Sequence, residues 1–200
     1  MADLITLRRS PLHHLHDRLA AGSVPGERAV TLRELPLLTM VSVRVEPGSP
    51  ASARLAERLG TPLPRACGEV TSSGGHSALW LGPDEWLVVS DGDPDQLVPE
   101  LTAALGSDPG SVVDVSANRT TLELSGPAAR ETLEKGCPAD LHPRSFGPGS
   151  AVATTLGPVP VLLWQTGATT FRLLPRSSFA DYVARWLLDA VIEYAGPRVP

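Results

Sequence analysis

"FRLLPRSSFADYVARWLLDA" (Phe171–Ala190) runs from an apolar strand pattern, through a polar turn, into an amphipathic helix. "EWLVVSDGDPDQLVPELTAAL" (Glu85–Leu105) makes the same passage earlier in the chain. A passage made twice points to a duplicated unit, and the residues upstream of each copy extend the parallel. "LTMVSVRV" (Leu38–Val45) reads as a strand rich in β-branched residues. "GSPASARLAERLG" (Gly48–Gly60) reads as a helix capped by Ser49 or Ser52, stopped by Gly60, with Leu55 and Leu59 on one face. Turn signals at Ser73-Gly74-Gly75 and Gly82-Pro83-Asp84 divide Gly68–Ser90 into about three short strands. "DPDQLVPELTAALG" (Asp93–Gly106) predicts a helix in which Pro99 causes a kink or a late start.

The order then recurs. "SVVDVSANRTTLELSG" (Ser111–Gly126) ends in a strand, and "GPAARETLEKG" (Gly126–Gly136) is a helix closed by its last glycine. Ser150–Pro175 holds strands separated by turns. Ser177–Gly196 is the last and longest predicted helix, with Phe179, Val183, Trp186, Leu187 and Ala190 spaced for one face. At residue level Gly48, Leu55 and Leu63 correspond to Gly126, Leu133 and Leu141 at one constant shift. Trp86, Val88, Val98 and Leu101 correspond to Phe171, Leu173, Val183 and Trp186 at a second. The predicted fold is therefore α+β: two similar β-α-β-β-(β)-α halves packed together. Neither half covers both faces of its own sheet, and packing one on the other buries them.

The expected boundaries are an N-terminal arm over 1–36, a first half over 37–108 and a second half over 109–196. Within the arm, Ser10 suits an N-cap and Pro11 the first helical position. Leu12, Leu15 and Leu19 then share a face with His16. So short a helix is unstable alone in water. "GSVPGER" (Gly22–Arg28) separates it from the duplicated body, so Ser10–Ala21 is expected to dock on a neighbouring subunit and to be dispensable for folding.

Composition narrows the function classes. The chain has 200 residues, 42% of them hydrophobic, enough for a sizeable core. A net charge of −5 gives no general attraction to nucleic acid or to an anionic membrane. No apolar run approaches the roughly 18–20 residues of a membrane span. "MADLITLRRSPLHHLH" (Met1–His16) lacks the apolar core of a signal peptide, and a soluble, cytoplasmic protein is expected. Cys67 and Cys137 read as reduced and buried, with a disulfide as the alternative. The tryptophans Trp80, Trp86, Trp164 and Trp186 all lie in apolar segments and read mostly as core, with Trp80 and Trp164 on comparable strands.

Catalytic signatures are missing. There is no GxSxG elbow and no HExxH, and the sole lysine, Lys135, sits in no phosphate-binding loop. "GPGSAV" (Gly147–Val152) has valine where a dinucleotide fingerprint needs its third glycine, so no flavin or nicotinamide binding is expected of this chain. His13 and His16 are three apart on a helix, but a zinc site needs further ligands. The plainer reading is a partly buried His16 and a solvated His13; His76 and His142 read as loop residues. No catalytic residue and no metal ligand is assigned. "DVSANR" gathers Asp114, Ser116, Asn118 and Arg119 between two apolar segments. These are the candidate cofactor-binding residues, against a structural alternative in which such side chains cap a tight connection.

Three long strings carry a family likeness: "ALWLGPDEWLVVS", "VVDVSANRTTLELSGPAARETLEKGCPADLHPRSF" and "TTFRLLPRSSFADYVARWLLDA". With them the chain, from about Ser10 to Ala190, resembles the gamma subunit of heterotetrameric sarcosine oxidase. That family is similar in turn to the folate-binding domain of the glycine-cleavage T protein, which shares a D-x-S followed by a strand and SGP, here Asp114, Ser116, Ser125, Gly126 and Pro127. The resemblance implies an α+β fold and membership of an alpha-beta-gamma-delta assembly. That assembly oxidises the N-methyl group of sarcosine to give glycine, hydrogen peroxide, and formaldehyde or methylene-tetrahydrofolate. It also implies that FAD, FMN, NAD, tetrahydrofolate and zinc belong to the alpha, beta and delta partners, and that this chain is mainly structural. The T-protein domain carries an acidic pair on a strand whose counterpart here, Gly149–Gly167, contains no Asp or Glu. The alternatives are a stand-alone folate-dependent aminomethyltransferase-like protein and a general interaction module.

Overall fold

The computed structural model describes residues 8–195; the ends of the expected arm and second half, 1–7 and 196, lie outside them. Ten strands form two five-stranded antiparallel sheets. The chain order is α1 (His16–Ala21), β1 (Thr31–Leu35), β2 (Thr39–Val45), α2 (Pro50–Leu59), β3 (Val70–Ser73), β4 (His76–Gly82), β5 (Glu85–Ser90) and α3 (Pro94–Leu105). It continues with β6 (Gly110–Asp114), β7 (Thr121–Ser125), α4 (Ala129–Glu134), β8 (Ser150–Leu156), β9 (Val159–Gly167), β10 (Thr170–Pro175) and α5 (Ala180–Ala190).

Local chemistry explains most of these elements. Ser49 caps α2 by accepting from the Ser52 amide, and Gly60 ends it in the left-handed region. The three strands expected over Gly68–Ser90 are β3, β4 and β5, with Gly74 and Gly75 both at positive φ in a two-residue hairpin turn. Asp93 caps α3, and Pro99 is accommodated inside an unbroken helix, exposed on its solvent side. At 12 residues α3 is longer than α5 at 11, because single turns of 3₁₀ helix, Ser177–Phe179 and Ile192–Ala195, flank α5. The last helix is thus not the longest α-helix.

The duplication is visible in the strand orders, β6-β2-β5-β4-β3 in one sheet and β1-β7-β10-β9-β8 in the other. Reading across, β2 corresponds to β7, β5 to β10, β4 to β9 and β3 to β8, and the leading strands are exchanged. β1 precedes the first copy but pairs with β7 of the second; β6 precedes the second but pairs with β2 of the first. The boundaries expected at 36 and 108 are corrected accordingly: β1, placed in the arm, is an edge strand of the second sheet, and β6, placed in the second half, is an edge strand of the first.

Alternation along the strands builds three apolar layers. Val41, Val43, Trp86 and Val88 pack under α2 and α3. Leu122, Leu124, Phe171 and Leu173 pack under α1, α4 and α5. The intervening residues Met40, Leu87, Val89, Leu162, Trp164 and Leu174 meet in a seam between the sheets. The sheets therefore lie face to face with helices outside, which is why "VLLW" (Val161–Trp164) is apolar without a break. The helix register needs one correction. Leu97, Leu101 and Leu105 of α3 correspond in burial to Val183, Leu187 and Val191, one residue further on than the sequence alignment placed them. The 3₁₀ turn before α5, with three residues per turn, advances the angular phase and leaves Phe179 exposed.

The arm is the main departure from expectation. Leu12, Leu15 and Leu19 are fully buried in the same core as Phe171 and Leu187. Ser10 donates to Glu34 of β1. His14 pairs with Asp181 of α5 at 2.8 Å. Arg185, and then His14, hold the Asp181 carboxyl below the usual range. The arm's apolar face docks on its own chain: the three leucines share one core with Leu32 of β1, Leu122 and Leu124 of β7, Leu133 of α4 and Val183 and Leu187 of α5.

Candidate functional site

The segment after β6 leaves the first sheet and enters the second as β7, and it carries Asp114, Ser116, Asn118 and Arg119. Asp114 Oδ1 accepts from the Ser116 amide at 2.9 Å and from the Ser116 hydroxyl at 2.5 Å, an Asx turn. The Ser116 oxygen in turn accepts from the Met40 amide of β2 at 3.0 Å. Asn118 accepts from Arg176 at 3.2 Å. Arg119 donates to the Leu174 carbonyl of β10 at 2.8 Å. Burial, and then the nearby charge of Arg176, lower the Arg119 pKa from its ordinary value. The four residues are brought together, and their polar atoms tie the crossover to both sheets at the seam.

Two of the four also face open space. Ser116 and Arg119 line a hollow of about 230 Å³ with Arg8, Arg9, Leu37 and Thr39. Asp114 and Asn118 do not line it. An adjoining hollow of about 380 Å³ shares Arg8, Arg9 and Leu37 and adds His13, His16 and Glu34. Both histidines are exposed, so His16 is not the partly buried residue expected, and its nearest acid is Asp17 at 3.6 Å. Among the described residues no group of three or more His, Cys, Asp or Glu is placed to hold a metal. Both cysteines are free; Cys137 is buried as expected, but Cys67 is exposed in the loop between α2 and β3.

Sequence reasoning missed two buried carboxylates. Glu34 accepts from Ser10 and from Thr120, the latter at 2.6 Å. Glu123 sits in the middle of a cross-strand row, because β1, β7, β10 and β9 place Arg33, Glu123, Arg172 and Trp164 in register. Its side chain, 7% exposed, bonds Arg33 at 2.8 Å and Arg172 at 3.2 Å, and Arg172 stacks over Trp164. The signal was present in "TLELS" (Thr121–Ser125): alternation sends Leu122 and Leu124 to one face and Glu123 to the other. Glu123→Ala leaves Arg33, 63% exposed, and Arg172, 27% exposed, without their partner. Both arginines keep some water, so the loss is expected at the low end of the range for a broken buried pair, about 3 kcal/mol. Thermal denaturation followed by circular dichroism checks it, with an expected fall of about 2–4 °C per kcal/mol.

Comparison with known proteins places the chain in a family. The description "Sarcosine oxidase, gamma subunit family" matches residues 44–193. The sarcosine oxidase subunit gamma of Arthrobacter sp is 52% identical over 195 residues, covering 97% of this chain and 95% of the relative. That of Corynebacterium sp. (strain U-96) is 49% identical over 200 residues, covering 100% and 97%. A chain of the solved heterotetrameric sarcosine oxidase from Corynebacterium sp. U-96, in complex with pyrrole 2-carboxylate, superposes with a TM-score of 0.93 at 49% identity, covering 97% of this chain and 100% of that one. The glycine cleavage system aminomethyltransferase T of Bartonella henselae shares the fold, with a TM-score of 0.66 at 15% identity, covering 91% and 57%. The strings, the exchanged duplication and these matches agree: the chain belongs to the sarcosine oxidase gamma subunit family.

Proposed function

We propose that this chain is the non-catalytic gamma subunit of an alpha-beta-gamma-delta sarcosine oxidase, with the flavins, NAD, tetrahydrofolate and zinc held by its partners. The observation that carries the reading is the end-to-end superposition on one chain of a heterotetrameric enzyme of that activity. The candidate residues support a structural role, since Asp114, Ser116 and Arg119 spend hydrogen bonds on the backbone of the crossover and of both sheets.

The residues present do not fit tetrahydrofolate. On β9, Val159, Val161 and Leu163 are packed under the helices and Leu162 and Trp164 in the seam. That strand offers no carboxylate to accept a proton or to pair with a cationic nitrogen. The fold is kept and the folate chemistry belongs to another chain. Two preparations test these statements. The tagged chain, co-expressed with the other three subunits, is expected to bring down a yellow complex. Purified alone, it is expected to be colourless and to give no saturable heat with tetrahydrofolate. A colourless lone chain that binds tetrahydrofolate at micromolar affinity, with binding lost in Asp114→Ala, would overturn the proposal in favour of a folate-dependent transferase.

A further inference from the structure

The face where the arm meets the crossover concentrates positive charge on a chain whose net charge is −5. Arg8, Arg9 and Arg119 line the first hollow, and among its described lining residues none is acidic. Among the described lining residues of the adjoining hollow the one carboxylate is Glu34, 8% exposed and already taken by Ser10 and Thr120. Arg176 lies beside Arg119 on the paired backbone, so the like charges there add rather than cancel.

Between the hollows stands Leu37, which lines both. It is the non-glycine residue at positive φ (59°) among those described, and its side chain is among the large apolar ones left in water, 55% exposed. A leucine gains nothing from the left-handed region, where its Cβ crowds the following carbonyl. Strain of this kind persists where the surroundings impose it, and it clusters at sites that bind something. Here β1 and β2 impose it, through the short turn Pro36–Leu38 that joins an edge strand of one sheet to an inner strand of the other.

The geometry points to this trough as the docking face for an acidic segment of a companion subunit, its carboxylates on Arg8, Arg9 and Arg119 and an apolar side chain against Leu37. The inference rests on the gamma subunit reading and adds a location and a partner chemistry to it. A segment of chain suits the trough better than a small anion does. Two adjoining hollows of about 230 and 380 Å³, joined across an exposed leucine, exceed the volume of a phosphate or a simple carboxylate. The arm thus has two uses: its leucines fill the chain's own core, and its arginines face outward.

Two variants of the full chain, assembled with the other three subunits, test this. Arg8→Glu/Arg9→Glu reverses two charges that carry none of the fold's internal contacts described above. Leu37→Asn removes the apolar side chain and installs a residue that tolerates the left-handed region. The expected result is association weakened about tenfold or more in the charge-reversed chain, with the salt dependence of wild-type assembly largely abolished. Leu37→Asn is expected to assemble more weakly while its melting temperature alone is unchanged or higher, an opposition of signs that a merely structural role would not produce. Wild-type assembly and salt dependence in both variants would overturn the docking face. So would saturable binding of inorganic phosphate to the full chain that is lost in the charge-reversed variant while assembly is untouched, which would mark a small-anion site. A wild-type chain that itself stays alone would instead overturn the gamma subunit reading, and this proposal with it.

Discussion

A chain lacking Ser10–Ala21 is expected to be recovered unfolded or insoluble. The deletion strips Leu12, Leu15 and Leu19, each fully buried, from the core that also holds Phe171 and Leu187. Full burial of a leucine stabilises by about 1.5–3 kcal/mol. Three of them amount to much of the roughly 5–15 kcal/mol that holds an ordinary domain together. The deletion also uncovers β1, leaves Glu34 without Ser10 and Asp181 without His14. A point variant keeps the test sensitive: Leu15→Ala alone is expected to cost about 2–5 kcal/mol, the lost burial of the side chain plus the cavity it leaves in the core. Circular dichroism melts of the two proteins check both values. A truncated chain with a native melting temperature would mean that the arm is peripheral after all.

Gly126→Ala is expected to destabilise far more than Gly48→Ala, although the two glycines occupy the same place in the repeat. Both have positive φ, 125° at Gly126 and 76° at Gly48, so each alanine carries backbone strain. Around Gly48 the position of an added Cβ is open, and the cost is limited to that strain, about 1–2 kcal/mol. At Gly126 the added Cβ would lie 2.2 Å from the Ala29 carbonyl oxygen and 2.8 Å from its carbon. Those are backbone atoms, so no side chain can swing away. The same contact region carries the Ala128 amide to Ala29. Strain and overpacking together are expected to cost about 3 kcal/mol or more. The asymmetry follows from the local path of the chain: residues 29 and 30, leading into β1, pass close over Gly126, and nothing lies within 4 Å of an added Cβ at Gly48. Equal melting temperatures for the two variants would contradict it.

Much of this architecture was legible in the chain. Gly74-Gly75 between alternating strands, Ser49 and Gly60 at the two ends of α2, and the parallel of Trp86 with Phe171 are local or periodic signals, and each is where the sequence placed it. The long strings shared with the gamma subunits were equally direct. Two strands were missed, β1 and β6, and these are the two that exchange between the copies. "TLREL" (Thr31–Leu35) and "GSVVD" (Gly110–Asp114) are only five residues long and lie at sheet edges, so neither buries enough alternating apolar surface to announce itself. The candidate site was half legible. The sequence singled out "DVSANR" as a cluster of polar side chains, but Arg8, Arg9 and Leu37, which line the same hollow as Ser116 and Arg119, are about 80 to 110 residues away in the chain.

The sequence by itself determined the class of the fold, its duplication and its family, because turn residues, caps and hydrophobic period act over a few neighbours and survive in a linear reading. Only the tertiary structure decided which copy each leading strand joins, that Glu123 stands between Arg33 and Arg172, and that the arm's leucines belong to the chain's own core. Edge pairing is made by backbone hydrogen bonds that any side chain permits, and an apolar stripe of three leucines does not say which surface it will cover. Both are settled by what else is left unpaired and unburied once the whole chain has come together.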